Sequence, residues 1–312
     1  MLFDRDNEPS VYQPASLIQI ESQSNSFIIE IEKSNLRLLS NKESMSNENN
    51  ENNENNENAK KLIIPALGFQ NTGAICYFNS LLQCILSSTH FLRFILTDNR
   101  DPRFLSFFQN ICNDLWNSTF TTELLQSIGN FQPNQSSSEY FLMIMDALKW
   151  ERLFECRHQQ TKECKSCGHK NVTSDISYNV LINDSLEEFM KTECQLDNVL
   201  CDGCKIKTTY TQQQQIHSLS PVIVLSLNKY FGKKLIQYPP MIQFGDKATY
   251  VLIGTIEHFG GLSGGHYISR VRRLEDGSAC YYIIDDTKVI PISEETFFKS
   301  VPETYMVFYE RV

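Results

Sequence analysis

The 312-residue sequence lacks any run of eighteen apolar residues, so no stretch of it reads as a membrane-spanning helix. It also lacks an apolar core near its start, where Asp4, Arg5, Asp6 and Glu8 stand instead of the hydrophobic region of a secretory leader. A soluble, intracellular chain is the expectation. Positive charge is not in excess: the formal net charge is −9, and with Glu48, Glu51, Glu54 and Glu57 set aside as members of one repeat it is −5 for the remainder. That balance weighs against nucleic acid as the main partner and suits a basic protein or peptide. Cysteine is too thin for a disulfide scaffold, with ten in the chain. In a reducing compartment each must be core, metal ligand or nucleophile.

What is present is ordinary globular material, 41% hydrophobic and 11% aromatic, which excludes a chain disordered throughout. The length exceeds what one core usually organises, so one multi-lobed domain or two domains are expected. Between Ser46 and Asn58 runs SNENNENNENNEN, a polar repeat with nothing to bury, and residues 46–61 are read as a flexible linker. Upstream, in an N-terminal extension over residues 1–45, Ile18 and Ile20, then Phe27, Ile29 and Ile31, alternate with polar neighbours as short strands do. From residue 62 to 312 the composition stays globular. Apolar spacing predicts helices at Phe78–Leu86, Phe104–Trp116 and Tyr140–Leu148, then strands at Val222–Leu227, Tyr250–Ile256, His266–Arg272 and Cys280–Ile284. Helices first and strands later favour α+β over an alternating βαβ sheet.

Leu67 to Gln83 reads LGFQNTGAICYFNSLLQ, which sets Cys76 where a Gly-containing loop hands over to a helix. Unpaired N–H groups and the partial positive charge of a helix N-terminus favour thiolate, as a nucleophile requires. The backbone N–H of Cys76 and the side-chain amide of Asn71 could meet a developing oxyanion, with Gly73 letting Asn71 fold back. The competing reading is a buried structural cysteine, the one adopted for Cys84 and Cys112. A strand later leads through Gly260, Gly261, Gly264 and Gly265 to His266. The glycines give an extended substrate room beside the imidazole, and IIDD offers Asp285 or Asp286 to fix its tautomer. His258 is read as a loop histidine without assigned chemistry.

Cys164 and Cys167 form one C-x2-C pair, Cys201 and Cys204 a second. Two such knuckles, each with a Gly at its turn and lysines around it, complete a closed tetrahedral sulfur site suited to one structural zinc per chain. His169 is a substitute ligand; Cys156 and Cys194 are spectators.

Together these features resemble the ubiquitin-specific protease family of papain-like deubiquitinases. Asn71, Gly73, Cys76, Tyr77, Asn79, Ser80 and Gln83 match its cysteine box; Gly264, Gly265, His266 and Tyr267, then Asp285 and Asp286, match its histidine box. The strand PVIVLSLNKY at Pro221–Tyr230 and the ending YMVFYER at Tyr305–Arg311 resemble family strands. The resemblance covers about residues 66–312. It implies a helical thumb at about 66–152, β fingers carrying zinc at about 155–215 and a β palm at about 216–312. It implies cleavage after ubiquitin's terminal glycine by nucleophile Cys76, base and acid His266, orienting Asp285 and oxyanion donor Asn71. Asp286 is then a second carboxylate assisting through a water or the Asn71 region. Glu139, Tyr230, Gly264, Gly265 and Tyr267 are the implied substrate contacts. Ubiquitin and its conjugates are the expected partners, with no nucleic acid or membrane, for a monomer in cytoplasm or nucleus. The sequence departs from the family at Ala74-Ile75, usually Asn-Thr, at Tyr230, usually Phe, and at Ser136, where a carboxylate usually faces ubiquitin's basic tail. The last departure raises another ubiquitin-like modifier as substrate; a catalytically weak or dead ubiquitin-binding scaffold is a separate alternative, against which the complete set Asn71, Cys76, His266 and Asp285 speaks.

Overall fold

The computed structural model describes residues 64–97, 101–112, 120–129, 135–183, 185–186, 193–228, 235–244, 248–261, 264–275 and 278–312. The proposed N-terminal strands and the Asn/Glu repeat lie outside these residues. Among the described residues six helices come first: α1 (Cys76–Ile85), α2 (Thr89–Thr97), α3 (Pro102–Cys112), α4 (Phe120–Ile128), α5 (Ser137–Leu148) and α6 (Glu151–Phe154). A four-stranded antiparallel sheet follows, built from β1 (Cys156–Cys164), β2 (Lys170–Ser177), β4 (Glu193–Leu200) and β5 (Lys207–Ser218) in the order β2-β1-β5-β4.

The second sheet gathers β3 (Val180–Ile182), β6 (Val222–Leu227), β7 (Met241–Phe244), β8 (Ala248–Gly261), β9 (Gly264–Glu275), β10 (Ser278–Asp285), β11 (Lys288–Ile292) and β12 (Thr304–Arg311). Its order is β11-β10-β9-β8-β12-β6-β3, with β7 paired to β8 and, among the described strands, β3–β6 the one parallel pair. A short helix α7 (Glu294–Phe298) interrupts the run of strands, started by Ser293, whose hydroxyl accepts from Thr296 N at 3.2 Å. The expected helices at 78–86 and 140–148 lie within two residues of α1 and, at its C-terminal end, α5. The one at 104–116 begins two residues earlier, because Pro102 fits a first helical turn and Asp101 accepts from Arg103 N at 2.9 Å.

Strand alternation explains why the central strands read as continuous apolar runs. On β12, Met306 and Phe308 face the helices while Val307 and Tyr309 face the opposite layer; on β6, Val222 and Val224 oppose Ile223 and Leu225 in the same way. Both faces are therefore covered, the first by α1 to α6 and the second by α7 with Ile236 and Tyr238. In the helical layer Trp150 makes edge contacts with Phe91 at 4.8 Å and Phe104 at 5.1 Å. Each such buried side chain contributes about 1.5–3 kcal/mol. The last strand also ties down an early helix: Glu310 accepts from Ser88 Oγ, Thr89 Oγ1 and His90 N at 2.8–2.9 Å, placing a carboxylate at the start of α2.

Candidate active site and sulfur cluster

Cys76 is the first residue of α1, and every residue of that helix is buried. The loop before it bends over Thr72–Ala74. Asn71 Oδ1 accepts from Ile75 N at 3.0 Å and Gly73 N at 3.4 Å, so the amide folds back over the residue that caps the helix. Ala74 adopts φ +55°, a left-handed conformation that suits Asn or Gly better than Ala.

Helix position alone predicts an acidified thiol, and the structure corrects this. Cys76 is 5% exposed and its thiol is pushed up, chiefly by burial and further by the Asp286 charge. The backbone N–H groups of Tyr267, Tyr77 and Cys76 itself pull the other way without offsetting it.

The glycine segment expected as a loop is a hairpin. β8 and β9 remain paired to their tips, with Gly260 opposite Gly265 and Gly261 opposite Gly264. His258 therefore belongs to a strand, paired with Tyr267, and its ring lies 4.4 Å from the Tyr267 ring. Gly265 is required here: a Cβ would sit 2.3 Å from His258 Nε2. The backbone of both Gly264 and Gly265 is exposed beside His266.

The two adjacent acids take different partners. Asp285 ends β10, and its Oδ1 lies 2.6 Å from His266 Nε2. Asp286 opens the two-residue turn to β11 at φ +49°, which an aspartate tolerates. From there Oδ2 accepts from Asn71 Nδ2 at 3.0 Å and Oδ1 from Asn79 Nδ2 at 2.8 Å, while His266 Nε2 is 4.0 Å from Oδ2. The backbone closes the same joint: Phe69 N donates to Asp286 O at 2.7 Å, and a Cβ on Gly68 would meet the Thr287 carbonyl at 2.4 Å. The structure thus brings Asn71, Asp286, His266 and Asp285 into one connected group next to Cys76. Asn79, which matches the cysteine box but carries no expected role there, joins the group through its bond to Asp286. Its signal was a polar residue on the buried face of an apolar helix, three positions after Cys76.

Glu139 is exposed in the first turn of α5. Ser136, at the N-cap of α5, makes no capping bond; its hydroxyl meets Tyr305 Oη at 2.7 Å and Ser138 Oγ at 2.9 Å, and Ser138 meets Tyr305 Oη at 2.8 Å. Tyr230 lies outside the described residues, as does the side chain of Cys112. Cys84 is fully buried, and its thiol is pushed up by burial.

In the four-stranded sheet Cys164, Cys167, Cys201 and Cys204 converge, all four sulfurs within 4.8 Å of one another. The Cys164–Cys204 and Cys167–Cys201 separations are 4.0 and 3.6 Å. A tetrahedral ion with metal–sulfur bonds of about 2.3 Å needs sulfurs about 3.8 Å apart, so the four thiols fit a metal ion. His169 is not part of the cluster; its Cβ side packs over Gly203. Cys156 and Cys194 lie elsewhere on the sheet, the first buried and the second exposed. No helix among the described residues is long and apolar enough to cross a membrane.

A cysteine at a helix start, packed on the strand of a histidine whose ring is held by a strand-end carboxylate, is the arrangement of a papain-like cysteine hydrolase on an α+β fold. The family model for ubiquitin carboxyl-terminal hydrolases matches residues 67–309, and the chain belongs to that family. Ubiquitin carboxyl-terminal hydrolase 5 of Saccharomyces cerevisiae is 23% identical, covering 79% of this chain and 45% of its own length. Its Schizosaccharomyces pombe namesake is 25% identical over 73% of this chain and 25% of its own, and human ubiquitin carboxyl-terminal hydrolase 15 is 28% identical over 42% and 15%. The chain spans less than half the length of these curated relatives. Among solved structures, a SAGA DUB module of Ubp8, Sgf11, Sus1 and Sgf73 bound to monoubiquitin superposes with a TM-score of 0.63 at 21% identity, covering 79% of this chain and 69% of that one. The same module bound to ubiquitin aldehyde matches equally well. The fold is accordingly the papain-like arrangement of helical thumb, β palm and β fingers, the fingers carrying the cysteine cluster.

Proposed function

We propose that this protein is a thiol-dependent deubiquitinase that hydrolyses the isopeptide or peptide bond after ubiquitin's C-terminal glycine. The observation that carries the reading is the 2.6 Å His266–Asp285 contact beside Cys76, in a chain of this family. With Nε2 turned to Asp285, the other ring nitrogen of His266 is left for the thiol. His266 takes the Cys76 proton as sulfur attacks the glycyl carbonyl, and the carbonyl π pair moves onto oxygen. Asn71 Nδ2 carries two protons and one is held by Asp286, so the second, with the Cys76 N–H, can meet the oxyanion. Collapse breaks the C–N bond as His266 returns the proton to the lysine amine. Water, deprotonated by His266, then attacks the thioester carbonyl; the C–S bond breaks, the carboxylate leaves and His266 returns the proton to the Cys76 sulfur. Exposed Glu139, Gly264 and Gly265, with Tyr267 and Tyr230, are assigned to the substrate tail.

We assign the four cysteines to zinc, which would supply a closed structural clamp for the fingers and no step of the reaction. The nine cysteines described are free, which fits a reducing compartment such as cytoplasm or nucleus. A second reading, cleavage of another ubiquitin-like modifier, is supported by the Ser136–Ser138–Tyr305 hydroxyl cluster, which puts no carboxylate where a basic tail would pass. The test is a panel of ubiquitin and ubiquitin-like fluorogenic C-terminal amides with wild type and Cys76→Ala. Turnover of ubiquitin amide, lost in Cys76→Ala, supports the first reading; turnover of another modifier alone supports the second; turnover of neither rejects both.

A further inference from the structure

Arg273 lies seven residues after His266 on β9, is 2% exposed, and forms no salt bridge with a carboxylate among the described residues. Burial of an unpaired guanidinium is costly, and it pulls this one down to about 10. Its partners are all neutral and all at the C-terminal end of the nucleophile helix. Nη1 donates to Gln83 O at 3.1 Å and to Ser87 Oγ, and Nη2 donates to Gln83 Oε1 at 2.6 Å. Gln83 O is a last-turn carbonyl of α1, so the guanidinium sits against the negative end of that helix.

The chain of contacts continues toward the site. Gln83 Nε2 donates to Leu67 O at 2.6 Å, at the start of the loop that carries Asn71. At the other end of α1 the Cys76 sulfur faces the Tyr267 N–H of the same β9 strand. The nucleophile helix is thus attached to the histidine's strand at two points, Tyr267 near its start and Arg273 near its end. We infer that Arg273 is a positioning residue, which through Gln83 sets the placement of both Cys76 and the Asn71 loop relative to His266. This rests on the function proposed above.

Displacing a nucleophile by about 1 Å can cost on the order of a hundredfold in rate. Arg273→Met should therefore lower kcat at least about tenfold on the ubiquitin amide, with KM within about twofold, and Arg273→Lys should restore part of the loss. Gln83→Glu separates positioning from stability: its carboxylate would pair with Arg273 and support folding, yet it cannot donate to Leu67 O. Its kcat should fall with melting temperature unchanged or raised. Amide hydrogen exchange gives a readout independent of substrate, because protection over residues 67–76 should drop in Gln83→Glu while that of β12 holds. Folded Gln83→Glu with wild-type kcat and unchanged exchange at 67–76 overturns the inference, whether or not Arg273→Met folds. If wild type fails to turn over ubiquitin amide, the proposed function falls and the exchange result alone decides the role of Arg273.

Discussion

Asp286 offers a sharp test, because its role as a brace for Asn71 is distinguishable from direct action on the imidazole. Its carboxylate is 16% exposed and holds Asn71 at 3.0 Å and Asn79 at 2.8 Å, both charge-assisted bonds. A bond of that kind contributes about 1.5–3 kcal/mol. An oxyanion donor such as Asn71 is worth about 2.7–4 kcal/mol of transition-state stabilisation, which caps what its brace can add. Asp286→Ala should then lower kcat by about 10- to 100-fold, with KM changed far less. In an Asn71→Ala background the same change should cost less than about threefold, a coupling of about 0.7 kcal/mol or more. Asp286→Asn, able to accept from only one of the two amides, should fall between wild type and Ala. Asp285→Asn acts on His266 instead, so its loss should add to that of Asn71→Ala. The assay is steady-state hydrolysis of ubiquitin amide by the single and double variants, with folding checked by thermal melts. Equal losses from Asp286→Ala in both backgrounds would refute the brace and assign Asp286 to His266, 4.0 Å away.

Other outcomes follow from the same geometry. Because burial raises the Cys76 thiol, its thiolate is scarcer at any given pH than that of free cysteine; alkylation in the absence of substrate should have its inflection above that of a free thiol, and an inflection near neutrality would contradict this. Metal analysis should find one zinc per chain, and Cys201→Ser should unfold the four-stranded sheet at lower temperature than the rest, while metal-free protein with that sheet intact would remove the assignment. Ser136→Asp should lower KM for ubiquitin substrates and add about 0.3–1 kcal/mol at the start of α5, the KM gain shrinking in high salt; an unchanged KM would show that Glu139 already satisfies the basic tail. Ala74→Asn or Ala74→Gly should relieve part of the roughly 1–2 kcal/mol that a left-handed residue costs, seen as a higher melting temperature, and a fall would show that the Ala74 methyl packs usefully.

Features set by short stretches of chain were legible in the sequence. The start of α1 at Cys76 follows from a loop containing Gly73 running into apolar residues at helical spacing, and each C-x2-C knuckle is a local turn that holds two sulfurs whatever surrounds it. The buried strands of the second sheet announced themselves as unbroken apolar runs, because both faces are covered. What depended on distant chain was not legible. Asp285 and Asp286 are chemically identical neighbours, and only the strand end at Asp285 and the left-handed turn at Asp286 send one to His266 and the other to Asn71 and Asn79. The glycines before His266 signalled a loop from their composition, whereas cross-strand pairing and the His258 ring over Gly265 made them the tips of two strands. The acidity of Cys76 divides the same way, since the helix start that favours thiolate is local while the burial that outweighs it belongs to the tertiary packing. Arg273 reads in the sequence as one of several arginines on a strand. Only the tertiary structure puts it under the nucleophile helix, because a buried charge is defined by what the fold brings around it.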